Sequence, residues 1–409
     1  MQFKDVIGQG TVKDHLVNMA KQNRLSHALL FLGKEGSGAL PLAIAFAQYI
    51  VCTSVKEEVQ KSPGLFGETL SSSPRVESGR EPDSCGVCAA CIKAGQLIHP
   101  DIHFSFPVVT KKSGEVPRSG DYIKEWREFI AGNPYRNLYD WLQFIAAENK
   151  QGNITARECE EINHITNLKS FESQYKILIM WMPEFLGKEG NKLLKLIEEP
   201  PPDTIFIFVA QDESAILPTI LSRTQLIKIP YLSNIEIEEE LIVKHGIDKT
   251  KAMQISAVCE GNFREALQIA DDTEEDWQGI IRDWLNTIIK TGPITQVKWI
   301  EQISKLGREK QKQFLRYFIH LLQKAVRIRV QEISIHHKSQ LTQNISDKDL
   351  DFAVRLNKLC SLEAQQAIID ELDKATWYIE RNANAKMLFH ALSIRLYHII
   401  KDNSLILVN

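Results

Sequence analysis

Five short apolar runs in the first 230 residues constrain the fold most: 27–32 (HALLFL), 101–106 (DIHFSF), 176–181 (KILIMW), 204–210 (TIFIFVA) and 225–229 (QLIKI). Most are continuous rather than alternating, the pattern of parallel strands covered by helices on both faces. Between them the apolar spacing turns helical, over Ala43–Cys52, Arg157–Leu168 and Lys188–Glu199. Pro200-Pro-Pro202 ends the last of these, because proline lacks the N–H that would continue a helix. The alternation predicts an α/β core over residues 1–230, a five-stranded parallel sheet of doubly wound type. Past Tyr231 the strand patterns cease. A small helical domain is expected over 231–280 and a second helical domain over 281–409, where Gln311–Gln331 reads as a long amphipathic helix.

A chain of 409 residues is too long for one compact core. Its net charge of −3 gives no overall attraction to nucleic acid, so any such contact needs a local patch. The N-terminus has no apolar signal core, and no run nears the ~18 apolar residues of a membrane helix. The expectation is a cytoplasmic protein without membrane contact. Two insertions interrupt the core. Residues 53–84 are rich in Ser, Gly, Pro and charge and read as mobile. Residues 108–150 carry Trp126, Tyr135, Tyr139 and Trp141 and read as ordered.

The first apolar run leads into GKEGSGALPL, residues 33–42. A strand, a glycine-rich turn and an apolar helix make the frame of a phosphate-binding loop, G-x-x-x-x-G-K-[ST]. Laid on Gly33 and Gly38, the pattern wants lysine and then serine or threonine, and the chain has Ala39 and Leu40. Neither can hold β/γ-phosphates or magnesium. The frame also wants a carboxylate at the end of a buried strand. After KILIM come Trp181 and Met182, and Glu184, two residues later, is expected to face elsewhere. Gly36 and Gly38 still offer backbone donors at a helix start, but no bound ATP is expected.

Seven cysteines, an odd number with three clustered, fit a reducing compartment. In Cys85-Gly-Val-Cys88-Ala-Ala-Cys91 two overlapping C-x-x-C pairs let thiolates converge on one tetrahedral zinc. Cys52 is the leading fourth ligand, with His99 and His103 as alternatives. A redox C-x-x-C is the rival reading. Four thiolates would close a structural site with no open catalytic position.

Several stretches together resemble bacterial clamp-loader subunits of the AAA+ class. They are Phe3-Lys-Asp-Val-Ile-Gly-Gln9, Leu25-Ser-His-Ala-Leu-Leu-Phe31, Leu196-Ile-Glu-Glu-Pro-Pro201, Leu217-Pro-Thr-Ile-Leu-Ser-Arg-Thr224 and Gly261-Asn-Phe-Arg264. The likeness covers residues 1–270 apart from the insertions. It implies a core with a zinc module at about 52–91, a helical lid and an oligomerising collar. It implies zinc on Cys52, Cys85, Cys88 and Cys91, although here 32 residues separate the first two. It further implies that Ser222-Arg223 carries an arginine finger for a neighbour's ATP, with Thr224 standing where the family usually has cysteine. Arg264 would touch nucleotide in an ATPase member; without such a site, a packing or interface role between the lid and the core is expected. The implied partners are tau/gamma-type ATPase subunits and a delta subunit in a hetero-oligomeric ring. Through that ring come the sliding clamp and primer-template DNA of the DNA polymerase III system. With Gly33, Gly36, Gly38, Ala39 and Leu40 as a degenerate loop, the expected type is non-hydrolysing and stator-like. The alternatives are a tau/gamma-type ATPase and a zinc-dependent DNA-binding module.

Overall fold

The computed structural model describes residues 1–55, 82–111, 116–147, 150–271, 277–290, 293–333, 347–381 and 383–402. Most of the insertion expected to be mobile at 53–84 lies outside them. The chain divides into two compact units, Met1–Ala270 and Asp271–Asn409.

The first unit runs α1 (Gly10–Lys21), β1 (Ala28–Gly33), α2 (Ala39–Val51), α3 (Ala89–Gly95), β2 (Ile102–Ser105), α4 (Ile123–Gly132), α5 (Leu138–Phe144) and α6 (Ala156–Asn167). It continues with β3 (Lys176–Trp181), α7 (Leu194–Glu198), β4 (Thr204–Ala210), α8 (Pro218–Leu221) and β5 (Gln225–Ile229). Helices α9 (Asn234–Val243), α10 (Lys249–Val258) and α11 (Phe263–Asp271) close it. The five strands are the five apolar runs. They pair in parallel in the order β2-β3-β4-β1-β5, with Leu30 of β1 level with Phe208 and Leu226.

The period of two explains why the runs are continuous. Leu29, Phe31, Ile177, Ile179 and Ile207 face one core, against Leu42 and Phe46 of α2. Leu30, Leu178, Phe206 and Phe208 face the other, with Ile162 of α6 and Ile197 of α7. A strand buried on both faces has no polar alternation to show.

Two helices depart from expectation. Helix α2 starts at Ala39 rather than Ala43, because Gly38 turns the chain at φ 90° and Pro41 is tolerated in a first turn. The stretch expected as one helix over 188–199 is 3₁₀ turns through Leu193, and only Leu194–Glu198 is α-helical. Gly187 breaks the turns at φ 51°. A side chain on Gly190 would come within 2.9 Å of Leu217, so this stretch lies tight against the segment leading to α8.

The described residues of the second insertion gather around an aromatic cluster. Trp126 stacks on Phe106 at 4.1 Å and meets Trp141 at 5.4 Å and Trp181 at 5.2 Å. The Trp141 indole N–H donates to the Pro107 carbonyl at 2.8 Å, so its polar edge is satisfied in the core.

The second unit is helical: α12 (Trp277–Ile289), α13 (Pro293–Ser304), α14 (Arg308–Ile333), α15 (Asp347–Leu359), α16 (Leu362–Glu380) and α17 (Ala385–Asp402). Trp284 and Trp299 stack at 4.8 Å at its centre, among Phe314, Phe318 and Phe389. No described helix is long and apolar enough to cross a membrane.

Candidate functional site

The glycine-rich loop joins β1 to α2 as the sequence pattern requires. Gly36 and Gly38 take φ 73° and 90°, in the left-handed region, and Ser37 N–H closes a turn onto Lys34 O at 3.1 Å. At the helix start stand Ala39 and Leu40, both buried, where a phosphate site needs lysine and a hydroxyl. The cavity beside the loop is small, about 30 Å³, and is lined by Gly36, Gly38, Ala39, Leu40, Tyr135 and Trp181.

At the end of β3, Trp181 is buried in the aromatic cluster and Met182 turns the chain at φ 59°. Glu184 then accepts N–H bonds from Gln211 at 2.6 Å and Asp212 at 3.0 Å, stitching the exit of β3 to the exit of β4. Burial raises its pKa despite these bonds.

Glu35, Asp140 and Tyr135, which motif reading missed, close the loop together with Arg264. Arg264, at the start of α11 and only 3% exposed, donates to Asp140 at 2.5 and 2.7 Å and to Glu35 at 2.9 Å. Glu35 belongs to the loop and Asp140 to the second insertion, so one guanidinium ties α11 to both. Tyr135, also from the insertion, accepts the Ile7 N–H at 2.8 Å and meets Phe263 edge-on at 5.1 Å. Sequence offered only aromatic content as a signal for Tyr135 and none for the carboxylates, whose partner lies more than a hundred residues away.

Arg223 follows α8 and ends at the surface, but it is engaged. Its Nε donates to Glu198 Oε1 at 2.6 Å, Nη2 reaches the same oxygen, and Nη1 donates to Thr219 O at 2.7 Å and Ser222 Oγ at 3.1 Å. Glu198 comes from the same Leu196–Pro201 motif singled out in the sequence. A part-exposed pair of this kind is weak, worth roughly 0–1 kcal/mol, so it can be exchanged for a stronger anion.

The structure brings Cys52, Cys85, Cys88 and Cys91 together, their sulfurs all within 4.8 Å of one another. Cys52 caps α2, Cys88 caps α3 and Cys91 lies in its first turn. The Cys85–Cys91 sulfur separation is 3.9 Å, close to the ~3.8 Å edge of a tetrahedron with metal–sulfur bonds of about 2.3 Å. The N–H groups of Cys85, Cys88 and Cys91 each donate to a cluster sulfur at 3.4 Å, which favours the thiolate form. Cys52 and Cys91 share a hydrogen bond that lowers the Cys52 pKa to about 4 and raises that of Cys91. The cluster can therefore hold a metal ion. His99 is used elsewhere, its Nδ1 accepting the Asp101 N–H at 3.1 Å, and His103 stands on β2. Cys159, Cys259 and Cys360 are separate buried thiols, whose pKa values burial raises to about 11, 12 and 11.

A family model described as DNA polymerase III, delta subunit, matches residues 8–64 and 65–233, more than half of the chain. The chain belongs to that family. Among its relatives in this DNA polymerase III family and beyond, subunit delta' of Bacillus subtilis is 26% identical over 266 residues, covering 65% of this chain and 60% of the relative. Subunit tau of the same organism is 23% identical over 322 residues, covering 76% of this chain and 44% of the relative. The chain thus spans less than two thirds of either relative. Of solved structures, a gamma-subunit-related DNA polymerase III protein of Thermotoga maritima is 15% identical. That match covers 94% of this chain and 98% of the other at a TM-score of 0.36.

Proposed function

We propose that this chain is a non-hydrolysing, stator-like clamp-loader subunit of the delta-prime type within bacterial DNA polymerase III. In this role it supplies Arg223 to the ATP of a neighbouring tau/gamma-type subunit. The observation that carries the reading is the pairing of two facts. The chain's own loop has buried Ala39 and Leu40 where lysine and a hydroxyl are required. A guanidinium, permanently charged and forked, stands on a surface turn after α8. The first removes hydrolysis at home, and the second fits phosphate charge developing in a neighbour. Residues 1–230 then act as the core, α9–α11 as the lid and the second unit as a collar that assembles the ring. The delta subunit would complete that ring around primer-template DNA and the sliding clamp in the cytoplasm.

The metal assigned to the four cysteines is zinc, because a closed set of four sulfurs suits a tetrahedral structural ion. Cys52, Cys85, Cys88 and Cys91 would hold it and fasten α2 to the segment that re-enters the core before α3. The ion would supply folding energy and no chemistry.

The similarity to tau subunits sustains one alternative, an ATPase of that type. Co-expression with tau/gamma-type and delta-type subunits separates the two. The proposal expects a stable complex, one structural metal in this chain, and neither ATP binding nor turnover by the chain alone. Tight ATP binding by the isolated chain would favour the alternative.

A further inference from the structure

The degenerate loop is not merely short of side chains. Residues 133–140 of the second insertion fill the space between the loop and the lid helices. A Cβ on Gly38 would meet Tyr135 Cε1 at 3.0 Å, so the ring lies directly over the loop. Its phenol oxygen takes the main-chain N–H of Ile7, and Phe263 from the lid flanks it. Burial pushes the phenol pKa upward, which keeps it neutral. Asn137 donates to Glu35 Oε2 at 3.0 Å, and its side chain also caps α5 by accepting the Asp140 N–H at 3.0 Å. The Phe263 N–H donates to Gly36 O at 3.3 Å.

Buried Arg264 decides the interpretation. A guanidinium cannot be neutralised by losing its proton, so at 3% exposure it requires anionic partners. A bound nucleotide would provide them as phosphates and would provide an aromatic base as well. This chain provides a fork-to-fork carboxylate in Asp140, a second carboxylate in Glu35 on the loop itself, and an aromatic ring in Tyr135.

We infer that residues 133–140 are a built-in occupant of the cleft, with Asp140 and Glu35 standing in for phosphate and Tyr135 for a base. The lid is thereby fixed on the core at all times, with no nucleotide needed. The inference rests on the non-hydrolysing reading and deepens it: the subunit's rigidity comes from its own insertion. It also implies a latent anion site around Arg264 and the backbone donors of the loop, masked by the two carboxylates.

The test uses the full chain and the pair of isosteric substitutions Glu35→Gln/Asp140→Asn. Sodium tripolyphosphate is the probe, read by titration calorimetry and by amide hydrogen exchange over α9–α11. The wild-type chain is expected to show no binding and slow lid exchange. The double variant is expected to exchange its lid amides at least about tenfold faster. It should also gain tripolyphosphate binding that restores slow exchange and disappears when Arg264→Gln is added. Tyr135→Phe, which keeps the ring, covers the case in which the double variant fails to fold. It is expected to fold and to speed exchange at the Ile7 amide and in the lid. Lid exchange at the wild-type rate in every folded variant, or no gain of tripolyphosphate binding by a folded double variant, overturns the inference and leaves the non-hydrolysing reading standing. ATP turnover by the wild-type chain sinks that reading instead.

Discussion

Trp181 shows how a single residue can serve two accounts. In the sequence it stands at the end of a buried strand, where a phosphate-binding core would be expected to carry a carboxylate. In the structure the same indole meets Trp126 and Phe129, and so helps anchor the second insertion. That packing was not legible in the sequence, because it depends on residues some fifty positions away. Trp126 is fully buried in that cluster. Trp126→Ala is expected to cost about 3–5 kcal/mol, measured by denaturant unfolding, with a cavity left among Phe106, Trp141 and Trp181. His103 on β2 gives a pH prediction. Burial first, then the charges of Lys176 and His99, lower its pKa from 6.5 to about 4, with Asp101 opposing. Between those values the unfolded chain binds a proton that the folded chain refuses. Stability from this group is therefore complete above pH 6.5 and falls as pH drops toward 4. In His103→Gln the urea midpoint should fall less over that window than in the wild type.

At the level of elements, all five strands were readable because apolar runs of four to seven residues bounded by turns carry their own signal. The stretch over 188–199 was not. Its spacing is helical, but Gly187 and the approach of Gly190 to Leu217 impose 3₁₀ turns that periodicity does not encode. The grouping of the four cysteines was legible. Overlapping C-x-x-C pairs point to Cys85, Cys88 and Cys91, and Cys52, favoured from sequence as the fourth member over His99 and His103, is brought to them by the end of α2. Removing the metal with a chelator is expected to release about one zinc per chain and to lower the melting temperature. The sheet core should retain its slow amide exchange while α3 loses protection. Cys91→Ser should reproduce the loss of bound zinc. A chain that binds no zinc, or melts identically with and without it, would exclude the metal assignment.

The two units divide the labour of the whole molecule. The first carries the loop, the internal occupant and Arg223, and the second is a helical bundle with its own aromatic core. Locally, Arg223 is held by Glu198, Thr219 and Ser222. These contacts park a forked cation at the surface at little energetic cost to release. None of these contacts was evident from sequence beyond the presence of both motifs. In the proposed role this chain's chemistry is performed on a neighbour's nucleotide. The most direct measurement is pre-steady-state ATP hydrolysis by the complex reconstituted with tau/gamma-type and delta-type subunits, clamp and primed DNA. With Arg223→Ala, hydrolysis at the adjoining site should slow by about 10³-fold, removing that site's share of the burst, and Arg223→Lys should recover little of it. A burst and a rate of clamp loading equal to those of the wild-type complex would contradict the account.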